Sequence, residues 1–213
     1  MDSGRQPCEA KSSTQSLCSF KPLGFVNTTT LYDRTYSSTG GEIIEELIKT
    51  QVQQLIYSGS PVRGYFIKDL DLYDSNLFEN EQVKSNVILE NCIIDKLDLT
   101  IMLFTEEVII RDCSINSASF HGTYFFKGIT IERCVFNEIF YFDCGGHNEF
   151  SHTVKLIGNK FKKFVDFFDA WFMGPVEIRN CQFTGGTNLL CDSLAFDVEP
   201  TIENNEGNLR LER

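Results

Sequence analysis

The sequence predicts an all-β protein wound into a solenoid of about six coils, with a single helix closing its first end. Two observations carry that reading. An eight-residue phrase is repeated at least five times, and one segment upstream of it has the three-and-four spacing of an amphipathic helix. The phrase reads VILENCII at 87–94, VIIRDCSI at 108–115, ITIERCVF at 129–136, VKLIGNKF at 154–161 and VEIRNCQF at 176–183. Its starts, Val87, Val108, Ile129, Val154 and Val176, stand 21, 21, 25 and 22 residues apart. Self-similarity at such a period marks a chain in which each repeat is one coil resting on the last.

Inside the phrase the first and third positions are apolar, as in Val87 and Leu89 or Val176 and Ile178. That is the period-two alternation of a strand with one buried face. A polar residue and then a corner residue follow: Asn91, Asp112, Gly158 and Asn180. Gly, Asn and Asp tolerate the left-handed backbone that a sharp corner requires, whereas Arg133 at the same place fits it less well. Beyond the corner, Cys92, Cys113, Cys134 and Cys181 recur two residues before an apolar position, with Asn159 replacing the thiol in the fourth coil. Small inward thiols behave as compact apolar filler, so these five residues are expected to form a structural ladder inside the tube. A third short strand is expected at Leu97 and Leu99, Ala118 and Phe120, and Ile139 and Tyr141, thinning at Phe164/Asp166 and Gly186/Asn188. Each coil then has three strands, stacked about 4.8 Å above those of the previous coil.

On these residues the chain resembles the right-handed parallel β-helix, the pectin-lyase-like superfamily. Its coils commonly show V-x-I-x-N-x-x-F, which VEIRNCQF at 176–183 matches. The resemblance covers roughly residues 64–205 and implies the fold. It implies little about activity, because β-helices host lyases, hydrolases, adhesins and inert scaffolds. Stretches such as SASFHGTYF and FVDFFDAWF also resemble the pentapeptide-repeat helix. That likeness ranks second, because a strict five-residue beat does not hold along the chain. It would imply a DNA mimic, since some members of that family resemble duplex DNA and bind gyrase.

In chain order, residues 1–40 read as an irregular arm, in which Cys8 and Cys18 show no zinc-ligand spacing. A capping helix is expected over 41–60. Ile44, Leu47, Ile48, Val52, Leu55 and Ile56 share one face, Glu42, Glu45 and Glu46 crowd the first turn, and Gly59 and Pro61 stop it. The β-helix occupies 61–205. Its first coil, GYFIKDLDLYDSNLF, is degenerate, and aligning Ile67 with Leu89 places Leu70 in the Cys slot and Leu72 in the apolar slot after it. Asp69, Asp71, Asp74 and Glu79 begin a concentration of negative charge in the N-terminal half. Extra residues in the third coil fall at 143–152, DCGGHNEFSH, where Cys144, His147 and His152 are weak metal-ligand candidates, with His121 in the coil before. The run FVDFFDAWFMG holds more rings than one coil interior needs. Phe168, Trp171, Phe172 and Met173 are therefore the expected partner-binding residues. The tail, 206–213, follows a faint echo of the phrase at Ile202, Asn204 and Asn205, and LRLER is expected to cover the bottom of the tube.

A net charge of −11 disfavours direct nucleic-acid binding and binding to anionic membranes, and suits a partner with a basic surface. The first twenty residues lack the apolar core of a leader, no membrane span is expected, and thiols at a repeat position suit a reducing, cytoplasmic setting. No cofactor is expected. There is no phosphate-binding glycine loop, no catalytic triad and no singled-out carboxylate pair. The expected function is a non-catalytic protein-interaction scaffold or regulatory subunit. A gyrase-binding DNA mimic and a carbohydrate-binding or carbohydrate-active β-helix are the alternatives, and self-association through a solenoid end is open.

Overall fold

The computed structural model describes residues 44–73 and 77–212. The arm expected over 1–40 lies outside them, with Cys8 and Cys18, as do Glu42 and Asp74. Among the described residues the chain is a parallel β-solenoid of about six turns with one α-helix.

The first side of the tube is a seven-stranded sheet. Its strands are Val62–Arg63, Val87–Glu90, Val108–Arg111, Ile129–Glu132, Val154–Ile157, Val176–Arg179 and Thr201–Glu203, hydrogen-bonded in that order. All five phrase starts are in register: Val87 faces Val108, which faces Ile129, then Val154 and Val176. The corner that follows is left-handed in every coil. Gly64, Asn91, Asp112, Arg133, Gly158, Asn180 and Asn204 all have φ between 52° and 74°. Arg133 accepts this uncommon conformation while its guanidinium grips the corner one coil back. Its Nε and Nη2 donate to the two carboxylate oxygens of Asp112 at 2.7 and 2.8 Å.

The thiol ladder is inside. Cys92, Cys113, Cys134 and Cys181 are buried, and each donates to a main-chain carbonyl, for example Cys113 to Arg111 O at 3.2 Å and Cys181 to Leu156 O at 3.2 Å. Asn159 keeps the ladder intact because both ends of its amide are used. It accepts from Cys134 N at 2.9 Å and donates to Ile131 O at 2.8 Å. Asn205 repeats this one coil on, accepting from Cys181 N and donating to Ile178 O, so the faint echo at 202–205 is a full further phrase.

The coil has a side that the repeat alone does not predict. Leu89, Ile94, Leu99 and Phe104 are buried, as are Ile110, Ile115, Phe120 and Phe125, and so is the residue two before each of them. Inward pairs therefore recur every five residues, four times per coil, with one extra residue before the next coil begins. The five-residue beat that does not hold along the chain as a whole is present within these coils and is reset at each turn. Four inward pairs make four sides, not three. The second and third sides share one nine-stranded sheet, in which Phe66–Asp71, Ile93–Asp98 and Ser114–Ser119 run unbroken. The fourth side is built from Gln82–Val83, Leu103–Phe104, Tyr124–Phe125, Gly146, Trp171–Phe172 and Ala195–Phe196.

From the third coil onward a residue is inserted between the second and third sides. Ala118 faces Phe140, which faces Val165, and Val165 bridges Thr187. The unbroken strand gives way to two, Val135–Phe136 and Phe140–Tyr141. Because strand parity is two, one added residue exchanges inside for outside. Phe140 and Phe142 are buried, not Ile139 and Tyr141, and Val165/Phe167 and Thr187/Leu189 take the inward places expected of Phe164/Asp166 and Gly186/Asn188. Phe164 is buried as well. The first coil is also displaced from its expected alignment. Ile67 faces Ile94, Leu70 faces Leu97, and Leu89 is faced by Val62. The first coil is longer than the ones after it, so counting back by one period lands on the wrong residue.

The helix spans Lys49–Tyr57, shorter than the expected 41–60. Residues before it run extended instead: Glu46 bridges Phe66, and Leu47 N donates to Phe66 O at 2.9 Å. This pairing occupies backbone groups on the exposed edge of the first coil. Glu45 and Glu46 therefore precede the helix, whose first turn holds no acid. Val52 and Ile56 are buried over the coil, Gln53 Nε2 donates to Asp71 O at 2.6 Å, and Gly59 turns the chain out at φ 71°. At the other end Thr187 N donates to Asn208 O, and Leu211 N to Thr187 O, so the tail crosses the last coil.

Candidate functional site

The corner between the third and fourth sides departs furthest from the repeat. Its residues are Asn80, Ile101, Gly122, Cys144 and Asp169, all left-handed, with φ from 53° to 63°. The residue before each corner is held over its neighbour by main-chain bonds. Ile101 N donates to His121 O at 2.9 Å, Gly122 N to Asp143 O at 2.9 Å, and Cys144 N to Phe168 O at 2.8 Å. The winding thus stacks His121, Asp143 and Phe168. His121 Nδ1 lies 2.8 Å from Asp143 Oδ2, and the Cys144 thiol donates to that oxygen at 3.8 Å. The other oxygen, Asp143 Oδ1, is buried with no hydrogen-bond partner. Burial, and then the charges of Asp143 and Asp169, push the Cys144 thiol above its ordinary pKa. A raised pKa favours the neutral form of the thiol.

The fourth side carries a row of rings. Tyr124 stacks on His147 at 4.0 Å, and His147 meets the edge of Trp171 at 5.4 Å. Burial lowers the His147 pKa, which favours a neutral ring in the stack. Gly146 makes the row possible: at φ 97° a Cβ there would come within 2.9 Å of the Phe172 ring and 2.8 Å of Trp171 O. Trp171 Nε1 donates to Asp197 Oδ1 at 2.9 Å, leaving the indole 44% exposed with its polar edge satisfied. Phe168 is 56% exposed and borders an open groove of about 400 Å³, shared with Asn188, Cys191, Asp192, Ser193 and Glu212.

Two of the four expected partner residues, Phe168 and Trp171, are on this surface, and Met173 is half-buried. Phe172 is not on it: strand alternation turns its ring inward to 1% exposure, stacked on Phe196 at 5.6 Å. The third-coil insertion is folded around Asn148, whose amide donates to His152 O and Pro175 O and accepts from Gly174 N. It raises Phe150 to 69% exposure, a residue the sequence reading passed over. Of the weak metal candidates, Cys144 lies with His121 and Asp143. His147 is in the ring stack, and His152 lies 3.7 Å from Glu149. The His121–Asp143 pairing had a signal in the sequence, since the two stand one coil period apart, 22 residues.

The charge is less one-sided than the composition implies. The outward end of the first side reads Arg63, Glu90, Arg111, Glu132, Ile157, Arg179, Glu203 in consecutive strands. Glu90 pairs with Arg63 and Arg111, and Arg179 with Glu177 and Glu203. Asp71 pairs with Lys49, and Asp98 with Lys96. Carboxylates collect instead beside the rings, where Asp143, Asp166, Asp169, Asp192 and Asp197 all flank Phe168 or Trp171 in the winding.

Among the described residues no helix is long and apolar enough to cross a membrane. Comparison with known proteins finds no matching family model, no matching curated protein and no matching solved structure. Fold and surface together define a class and no more: a parallel β-solenoid with an aromatic surface rimmed by carboxylates.

Proposed function

We propose that the protein is a non-catalytic interaction scaffold whose partner is another protein with a basic surface. The carrying observation is the concentration of exposed rings on the third and fourth coils, Phe168 and Trp171 above all, among carboxylates. Exposed aromatic anchors within a polar rim are the usual anatomy of a binding hot spot, and a stacked tube holds them rigid at little cost in ordering. The five-residue spacing of inward pairs favours kinship with the pentapeptide-repeat helix over the pectin-lyase-like superfamily. It does not extend to the DNA-mimic function. The first side mixes both signs, and the fourth coil carries Lys155, Lys160, Lys162 and Lys163, whereas a duplex mimic needs continuous negative charge.

Affinity capture from the native host, with wild-type and Trp171→Ala proteins side by side, tests this reading. A partner held by wild-type protein in high salt should weaken by about 2 kcal/mol or more, roughly thirtyfold, in Trp171→Ala, and similarly in Phe168→Ala. Unchanged capture by both variants at unchanged thermal stability would reject it. Capture of gyrase that collapses with salt would favour the mimic instead.

A further inference from the structure

We infer that His121, Asp143 and Cys144 form a binding site for a zinc-class divalent transition-metal ion. The three come from two neighbouring coils, and one ligand atom from each, a ring nitrogen, a carboxylate oxygen and Sγ, lies within 4.8 Å of the others. In a tetrahedral zinc site the metal–ligand bonds are about 2.0–2.3 Å, which sets the ligand atoms roughly 3.5 Å apart. Small side-chain rotations close the remaining distance while the main-chain bonds of Gly122 and Cys144 hold both corners in place.

The ligand types decide which ion. Imidazole, carboxylate and thiol suit zinc or cobalt, whereas calcium and magnesium require oxygen ligands in greater number. A second observation points to a cation: Asp143 Oδ1 is buried without a donor, an unmet acceptor that a metal held by both oxygens of the carboxylate would satisfy. Three protein ligands leave a fourth position open. The site does not depend on the interaction reading, and its metal would staple the second coil to the third.

Cobalt titration of the full metal-free chain tests it. Wild-type protein should bind about one equivalent, with a near-ultraviolet thiolate-to-cobalt band that zinc then displaces. Cys144→Ser should abolish that band, and Asp143→Asn should weaken cobalt binding roughly tenfold or more. Cys191→Ser should leave it unchanged. Zinc should raise the melting temperature of wild-type protein and not that of Cys144→Ser. No thiolate band in the wild type, a band that survives Cys144→Ser, or one that vanishes in Cys191→Ser overturns the site. His121→Asn, at a more exposed position, provides a second ligand deletion should Asp143→Asn fail to fold, and retention of full affinity there also overturns it.

Discussion

The first side and the corner between the third and fourth sides are wound by the same chain at nearly the same period, yet they differ in kind. On the first side each position keeps one character through the stack: apolar inward residues, an outward end that alternates in charge except at Ile157, and a left-handed corner in every coil. At the other corner the backbone conformation repeats but the side chains do not, running Asn80, Ile101, Gly122, Cys144, Asp169. Repetition of both backbone and side chain maintains a tube. Repetition of backbone alone provides a fixed mount on which unlike residues are brought together, and here it gathers a histidine, a carboxylate, a thiol and exposed rings.

Three substitutions sharpen that contrast. The largest effect belongs to the packed interior. Phe161 stacks between Phe136 and Phe183 at 5.0 Å on either side, so Phe161→Ala should lose about 3–5 kcal/mol in chemical denaturation. A loss below about 1 kcal/mol would mean that the column does not support the stack. At the irregular corner the sign should reverse. Ile101 is β-branched, 52% exposed and left-handed at φ 60°, a conformation that costs such a residue about 1–2 kcal/mol. Ile101→Asn, which installs the residue type found at Asn80, should stabilise by about 1 kcal/mol, read as a rise in melting temperature. The smallest change is expected on the first side, where Arg111→Ala removes one partially exposed ion pair with Glu90 and should shift stability by no more than about 1 kcal/mol.

How much of this was legible follows from what a period can and cannot convey. The phrase starts, the thiol ladder and the first corner could be read because each position has a single acceptable residue class, so five copies reinforce one another. Arg133 looked out of place only because its stabilising partner, Asp112, is one coil away. The phase beyond Phe136 could not be read, because Ile139 and Phe140 are both apolar and a one-residue insertion leaves no compositional mark. The fourth side was hidden for a related reason: Met102/Phe104 and Thr123/Phe125 have no polar signature to separate them from an ordinary connection. Within the expected partner cluster, Phe172 was misplaced by the same ambiguity, since FVDFFDAWF offers apolar residues on both faces of the strand. The His121–Asp143 contact depends on folding, but its one-period separation is a general signal for solenoids: residues one period apart are neighbours.

The alternation Arg63, Glu90, Arg111, Glu132 has a bearing on assembly. If the chain skipped a coil, Arg63 would meet Arg111 and Glu90 would meet Glu132, so like charge would stand against like along the stack. Over these four strands each correctly seated residue instead meets its opposite. The outer row thereby works as a winding key, favouring consecutive over skipped pairing even though each ion pair adds little to the strength of the finished tube.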